Sequence, residues 1–316
     1  MSATSLRKLL EEGRIWFAEP TINTASASTS QASPAYTQSP GRLAGIEKFL
    51  SLSNQFRPQA TKRIVKFNLA PLDQSLPWGG LACGGVHEFF APAGTQGPAA
   101  SLPPLTLPTV IAGQAFSQLQ AQMQNNSLPS YIIWIGRRSW PTPFLLKAIE
   151  QQTPKSFSLL SFCIFADPPT EKLHLWAIET ALRTAGISII IAACEKLSFS
   201  ISRRFALAAE KGNSLGILLR AAKNLSLYPH TSNAAVKQNT PLNMPPTAAL
   251  TSWLISPFPA LSPFPCWEMR LLRCKGRQPY NNQWVIELQD EAALSLHILP
   301  AVGRKSKPAS TAVANG

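Results

Sequence analysis

The sequence predicts an α/β protein, a mostly parallel sheet flanked by helices and finished by a C-terminal β-hairpin extension. Three observations lead there. Between residues 85 and 220, short apolar runs alternate with amphipathic segments. The apolar runs, Tyr131–Ile135 and Ile187–Ala193 among them, are nearly continuous, as strands covered on both faces require. After residue 250 come four strand-like runs, the later ones joined by tight connections in hairpin fashion.

Each element has its own local reason. Residues 4–18 read as a helix, with Leu6, Leu9, Leu10, Ile15 and Trp16 near helical spacing and Gly13 a weak point. The uncharged Thr/Ser/Ala/Gln/Pro stretch over 21–40 lacks the apolar surface to order itself and reads as a linker. A short amphipathic piece, Leu43 to Leu52, follows it. The domain plan is therefore an N-terminal helix over 1–19, a flexible linker over 20–60, an α/β domain over 61–302 and a disordered basic tail over 303–316.

Within the domain, Val86–Phe90 is a short strand. Pro108–Gln124 is a helix, with Pro108 in its first turn and Ala112, Ala115, Phe116, Leu119 and Met123 on one face. Tyr131–Ile135 is a strand, Pro143–Gln151 a helix and Phe157–Phe165 a strand. Pro169–Thr184 is a helix stopped at Gly186, Ile187–Ala193 a buried strand, and Ser200–Lys211 a helix stopped by Gly212. Leu215–Leu219 is the next strand, and residues 222–246 read as a long loop. Leu250–Ser256, Trp267–Arg273, Gln283–Leu288 and Leu294–Leu299 complete the strands, with a turn at Tyr280–Asn282.

Composition narrows the function. Hydrophobic residues make up 45% of the chain, enough for a sizeable core, while charged residues are only 14%. The longest apolar run, Ile187 to Cys194, falls short of the roughly 20 residues a membrane helix needs. The N-terminus shows no apolar signal core, so the expectation is a cytoplasmic protein without membrane contact. Five scattered cysteines without CxxC pairs suit reduced thiols. A net charge of +13 points to an acidic partner, nucleic acid or protein, or to a solvated basic surface.

The most distinctive stretch is LDQSLPWGGLACGGVHEFF, Leu72 to Phe90, where two glycine pairs bracket a tight entry to the first core strand. It resembles the lead-in to the core of RecA-type recombinases, and more closely that of the RecA-like mutagenesis accessory family called ImuA, some members of which are labelled SulA-like. SRRFALAAEKGNSLGILLR (202–220) is similar to that family's helix–strand unit, and TAALTSWLISPFP (247–259) to its small-residue and Trp stretch. CWEMRLLRCKGR (266–277), followed by WVIELQDE, resembles its C-terminal hairpin. Together these cover about residues 70–300.

The resemblance implies a RecA-like core acting in damage-induced (SOS) translesion synthesis beside an error-prone C-family polymerase and the Y-family-like protein ImuB, with RecA itself a further partner. It sets a chemical test, because a P-loop presents backbone N–H groups, a lysine and a hydroxyl to phosphate and magnesium. Here residues 91–101, APAGTQGPAAS, hold Ala91, Gly94, Thr95, Gly97 and Ser101 but no lysine. Pro98 stands where GK is expected and has no N–H to offer. The strand that should end in acidic residues, Tyr131–Ile135, runs into Gly136, Arg137 and Arg138. The strand that should carry the magnesium carboxylate ends in Ala192, Ala193 and Cys194, with Glu195 a few positions late. The expectation is a degenerate site, no enzyme, no cofactor and no metal. The alternatives are a SulA-like inhibitor of the tubulin-like division protein and a working DNA-dependent ATPase.

Other constellations are weak. Cys83 and His87 supply two of the four ligands of a structural zinc site, and His174, His230 and His297 have no ligand pattern around them. Nothing matches GxSxG. Cys194 reads as a small buried hydrophobe. Basic residues cluster at Arg57–Lys66, Arg137–Arg138, Arg203–Arg204 and Arg270–Arg277. On a strand, Arg273, Lys275 and Arg277 would share one face, so with Arg270, Arg203 and Arg204 they are candidates for weak, sequence-independent DNA binding. The competing reading is an edge strand protected by charge. Trp78, Trp140, Trp253 and Trp284 read as core or interface anchors before base-stacking groups. The loop at 222–246 holds only Lys223 and Lys237, which suits a partner contact or tolerated insertion better than phosphate binding. Partner candidates are Leu9, Leu10, Ile15 and Trp16 on the N-terminal helix, and Trp284 on the hairpin.

Overall fold

The computed structural model describes residues 63–92, 105–122, 130–150, 159–222, 244–258, 264–277, 283–289 and 295–299, with the backbone of 15–17. Its strands are β1 (Ile15–Phe17), β2 (Ile64–Val65), β3 (Leu81–Ala82), β4 (Gly85–Pro92), β5 (Tyr131–Ile135), β6 (Cys163–Ala166), β7 (Ile187–Ala193), β8 (Leu215–Ala222), β9 (Thr251–Pro257), β10 (Cys266–Cys274), β11 (Gln283–Gln289) and β12 (Ser295–Leu299). Its α-helices are α1 (Ala70–Ser75), α2 (Thr106–Ala121), α3 (Pro143–Glu150), α4 (Glu171–Arg183) and α5 (Phe199–Gly212).

Ten strands form one sheet in the order β1-β6-β5-β7-β8-β4-β9-β10-β11-β12. The run from β6 to β9 is parallel, and β10, β11 and β12 follow as an antiparallel meander. The predicted α/β class, a mostly parallel sheet flanked by helices, holds, with the hairpin extension built as this meander. Parallel neighbours need crossover connections, and α2 to α5 supply them. The sheet alternates between its two cores. Ile189 and Ile191 of β7 join the core beneath α2 and α3, with Val110, Phe116, Leu119, Leu146 and Ile149. Ile190 and Ala192 face the other way, into the core beneath α4 and α5, with Ile178, Leu182, Phe205 and Ala209. Among the described residues no helix is long and apolar enough to cross a membrane.

Several predicted elements are corrected. At Ile15–Phe17 the chain is not helical. It pairs antiparallel with β6, Ile15 opposite Ala166, Trp16 opposite Phe165 and Phe17 opposite Ile164. Ile-Trp-Phe is a β-prone run, and the open edge of β6 offers backbone groups that three strand residues satisfy at once. Leu6, Leu9, Leu10, the linker, the piece at 43–52, Arg57, Lys62, the turn at 280–282 and the tail lie outside the described residues, as does 223–243 of the long loop. The strand read over Phe157–Phe165 is half that: a 3-10 turn at Leu159–Phe162 precedes β6.

The ends of α4 and α5 show which residues stop a helix. Thr170 and Ser198 cap the N-termini, each side-chain oxygen accepting from the N–H three residues on, Leu173 and Ile201. At the far end of α5 the left-handed position belongs to Asn213 (φ 49°), not to the predicted stop Gly212. Gly212 is required for another reason. A Cβ there would stand 2.1 Å from the Leu182 carbonyl oxygen, so the missing side chain lets α5 press against the end of α4. Gly212→Ala forces backbone apart and is expected to cost about 1–3 kcal/mol. In a thermal melt, that reads as a Tm lower by roughly 2–4 °C per kcal/mol.

Candidate functional site

In an open parallel sheet, ligands bind beyond the carboxyl ends of the strands, where successive crossovers leave in opposite directions. Here β5 leaves outward through α3 to β6, while its neighbour β7 leaves the other way through α5 to β8. The crevice therefore lies between Gly136–Arg138 and Ala193–Glu195.

The protein's own side chains meet across it. Gly136 adopts φ +82° and gives its N–H to the Ala166 carbonyl at 2.8 Å. His174, in the first turn of α4, lies against it: a Cβ on Gly136 would come within 2.7 Å of the imidazole Cε1. The Nε2–H of His174 donates to the Ala193 carbonyl at 2.8 Å, bridging to the end of β7. Burial pushes the imidazole below its ordinary range, against the opposing pull of the Ala193 bond, Asp167 and Glu171. Arg137 Nε pairs with Asp167 at 2.7 Å, and Arg138 pairs with Glu195. The two arginines found where carboxylates were expected are thus matched by carboxylates from the neighbouring strand ends.

A second polar cluster stands midway along β4, the strand that leads to the stretch where a phosphate loop is expected. Glu88, on β4, is fully buried and accepts from Arg220 Nη1 on β8 at 2.7 Å and from Ser252 Oγ on β9 at 3.0 Å. The Arg220 guanidinium also lies 5.0 Å over the Phe90 ring, while its Nε has no partner among the described residues. This pair was missed in the sequence. Its signal was a lone carboxylate in VHEFF and a lone cation in GILLR, opposite charges inside two otherwise apolar strands. On the other face of β4, His87 is spent in the core: Nε2–H donates to Ala82 O (3.1 Å), and Nδ1 receives the Thr251 hydroxyl (2.7 Å).

The remaining candidates fall as follows. Ala91 is buried on β4 opposite Ala221, while Gly94, Thr95, Gly97 and Ser101 lie outside the described residues. The cationic stripe on β10 does not form. A bulge between Leu271 and Arg273 breaks the alternation, the strand ends at Cys274, and Gly276 (φ +83°) turns the chain. Arg273 Nη1 donates to the Thr247 carbonyl (2.7 Å), and Arg277 Nη1 to the Gln74 and Ser75 carbonyls (3.0 and 3.1 Å). Lys275 is exposed in the turn, and Arg270 is half-buried opposite Gln283. Arg204 pairs with Glu179 of α4, and Arg203 is exposed. Trp284 packs against the core 6.2 Å from fully buried Trp253, so it is no free partner anchor. Ile15 and Trp16 contribute backbone to β1. Cys83 and Cys194 are buried thiols pushed up to about 11 by desolvation, which fits small hydrophobes rather than nucleophiles.

No protein-family profile matches the chain. Two curated relatives do, Protein ImuA from two strains of Caulobacter vibrioides, each 24% identical over 246 residues, 72% of this chain and 84% of the relative. The chain is thus similar to Protein ImuA over most of its length. Among solved structures, the crystal structure of the RadB recombinase matches at 12% identity with a TM-score of 0.47, covering 73% of this chain and 98% of that one.

Two measurements test these clusters. Arg220→Met strands a buried carboxylate and is expected to lower unfolding stability by about 3–5 kcal/mol, with Glu88→Leu added to it recovering most of the loss. Urea midpoints read both. The His174 imidazole titrates lower folded than unfolded, so the unfolded chain binds more protons below the ordinary value of 6.5, and stability falls as pH drops through it. Melts at pH 5 and 7.5 should differ less in His174→Gln than in the wild type.

Proposed function

We propose that this chain is a RecA-like accessory protein of damage-induced translesion synthesis, cytoplasmic, and acting by docking onto polymerase components rather than by hydrolysing ATP. The partners of this reading are ImuB, the error-prone C-family polymerase and RecA. The likeness to Protein ImuA over 72% of the chain carries it. Two features support the non-catalytic half. The stretch 91–101 offers no lysine and puts Pro98 where a phosphate cradle needs an N–H. His174 and two arginine–carboxylate pairs line the switch-point crevice. Phosphoryl transfer is catalysed by positioning and electrostatics, so losing those groups costs orders of magnitude in rate.

The experiment has two arms. Deleting the gene in its host should abolish most ultraviolet-induced mutation, with recovery from a plasmid copy. The purified protein should turn over no ATP above background, with or without single-stranded DNA. ATP turnover at ordinary NTPase rates that disappears in Thr95→Ala and Ser101→Ala would overturn the non-catalytic reading. Unchanged induced mutation after deletion would overturn the accessory role.

A further inference from the structure

The outer face of α5 is built differently from the other described surfaces. Phe199 is 49% exposed and Leu207 57%, the two most exposed large hydrophobic side chains among the described residues. They stand eight residues apart, with exposed Arg203 midway between them. At four-residue spacing the three lie along one side of the helix, over about 12 Å. The opposite side of the same helix, Phe205, Ala208 and Ala209, is committed to the core. The stripe is therefore not a misplaced core face.

Charge says what would cover it. Arg203 has no carboxylate partner among the described residues, unlike Arg204, which Glu179 holds from α4. Exposed Lys196 precedes the helix, and exposed Lys211 ends it beside the single carboxylate Glu210. A surface laid on Phe199 and Leu207 must desolvate Arg203 between them, and that is tolerable only if it brings a carboxylate to that point. The complementary element has apolar anchors four residues apart with acidic residues between and beside them. We propose that the Phe199–Arg203–Leu207 face of α5 is a docking surface for an acidic amphipathic helix of a protein partner. It rests on the accessory reading for the existence of a partner, and on α5 alone for the partner's chemistry.

The probe is a labelled peptide of about 18 residues, leucines on one helical stripe and glutamates flanking it, with a second peptide carrying lysines instead. Fluorescence anisotropy with the full chain should show binding of the acidic peptide alone. Phe199→Gln and Leu207→Gln, both at half-exposed positions, should keep the wild-type Tm and each weaken binding about tenfold. Arg203→Glu should shift preference to the lysine peptide. No binding of the acidic peptide, equal binding of both peptides, or unaltered affinity in the variants overturns the proposal. So does binding of a dT oligonucleotide that the same variants abolish, which would make the face a nucleic-acid surface.

The cell separates this from the accessory role. If deletion leaves induced mutation intact while the peptide results hold, the role falls and the surface stands. If deletion abolishes it while the Phe199→Gln/Leu207→Gln chain fully restores it, the role stands and this surface is overturned.

Discussion

A carboxylate shut away from water holds its neighbours in place, because no arrangement without them is affordable. Glu88 is that group here. It sits on β4, the strand between β8 and β9, and takes Arg220 from one and Ser252 from the other. Side chains alternate across a strand, so the preceding residue, His87, points into the opposite core. There it receives the Thr251 hydroxyl, which in turn accepts the Trp253 indole N–H at 2.7 Å. Two adjacent residues thus tie β4 to β9 on both faces of the sheet. At β9 the sheet changes from parallel crossovers to antiparallel meander, and apolar packing, being non-directional, would not by itself set the register at that boundary. Hydrogen-bonded polar groups on both faces do.

The same economy governs the crevice between β5 and β7. A sheet that binds nucleotide leaves polar groups there waiting for the ligand. In this chain His174 bridges to Ala193, and each arginine meets a carboxylate from the next strand end. Gly136 is open on one side only because the imidazole needs the space. Here those groups pair with one another across the strand ends.

The fold was legible because the strands buried on both faces announce themselves. Tyr131–Ile135 and Ile187–Ala193 were read to the residue, since a continuous apolar run between amphipathic helices has few other uses. The misreadings have specific causes. The leucines upstream of Ile15–Phe17 favour a helix there, yet an open sheet edge settles a three-residue segment by pairing it. Glycine commonly stops a helix, but Asn also tolerates the left-handed conformation, and with Asn213 there Gly212 is free for close packing. Glu88 and Arg220 are 132 residues apart, and no local pattern links them. The expected Arg273–Lys275–Arg277 face failed because period two survives only until the first bulge.

That failure bears on how a strongly basic balance should be read. With 29 lysines and arginines against 16 carboxylates, many cations have no acidic partner to find. Several turn inward to backbone oxygens instead. Arg63 donates to the Asn213 carbonyl, Arg273 to Thr247, and Arg277 to Gln74 and Ser75. Each joins separate segments of the chain and satisfies a carbonyl left over in a loop or at a helix end. The guanidinium suits this work, since its several N–H groups reach two acceptors at once and its charge strengthens each bond. A net charge of +13 is then partly internal framework, and the total overstates the surface on offer to an acidic partner. What separates the two uses is geometry: an arginine spent on a carbonyl is held in place, whereas Arg203, between two exposed apolar side chains, has no carboxylate or carbonyl partner among the described residues.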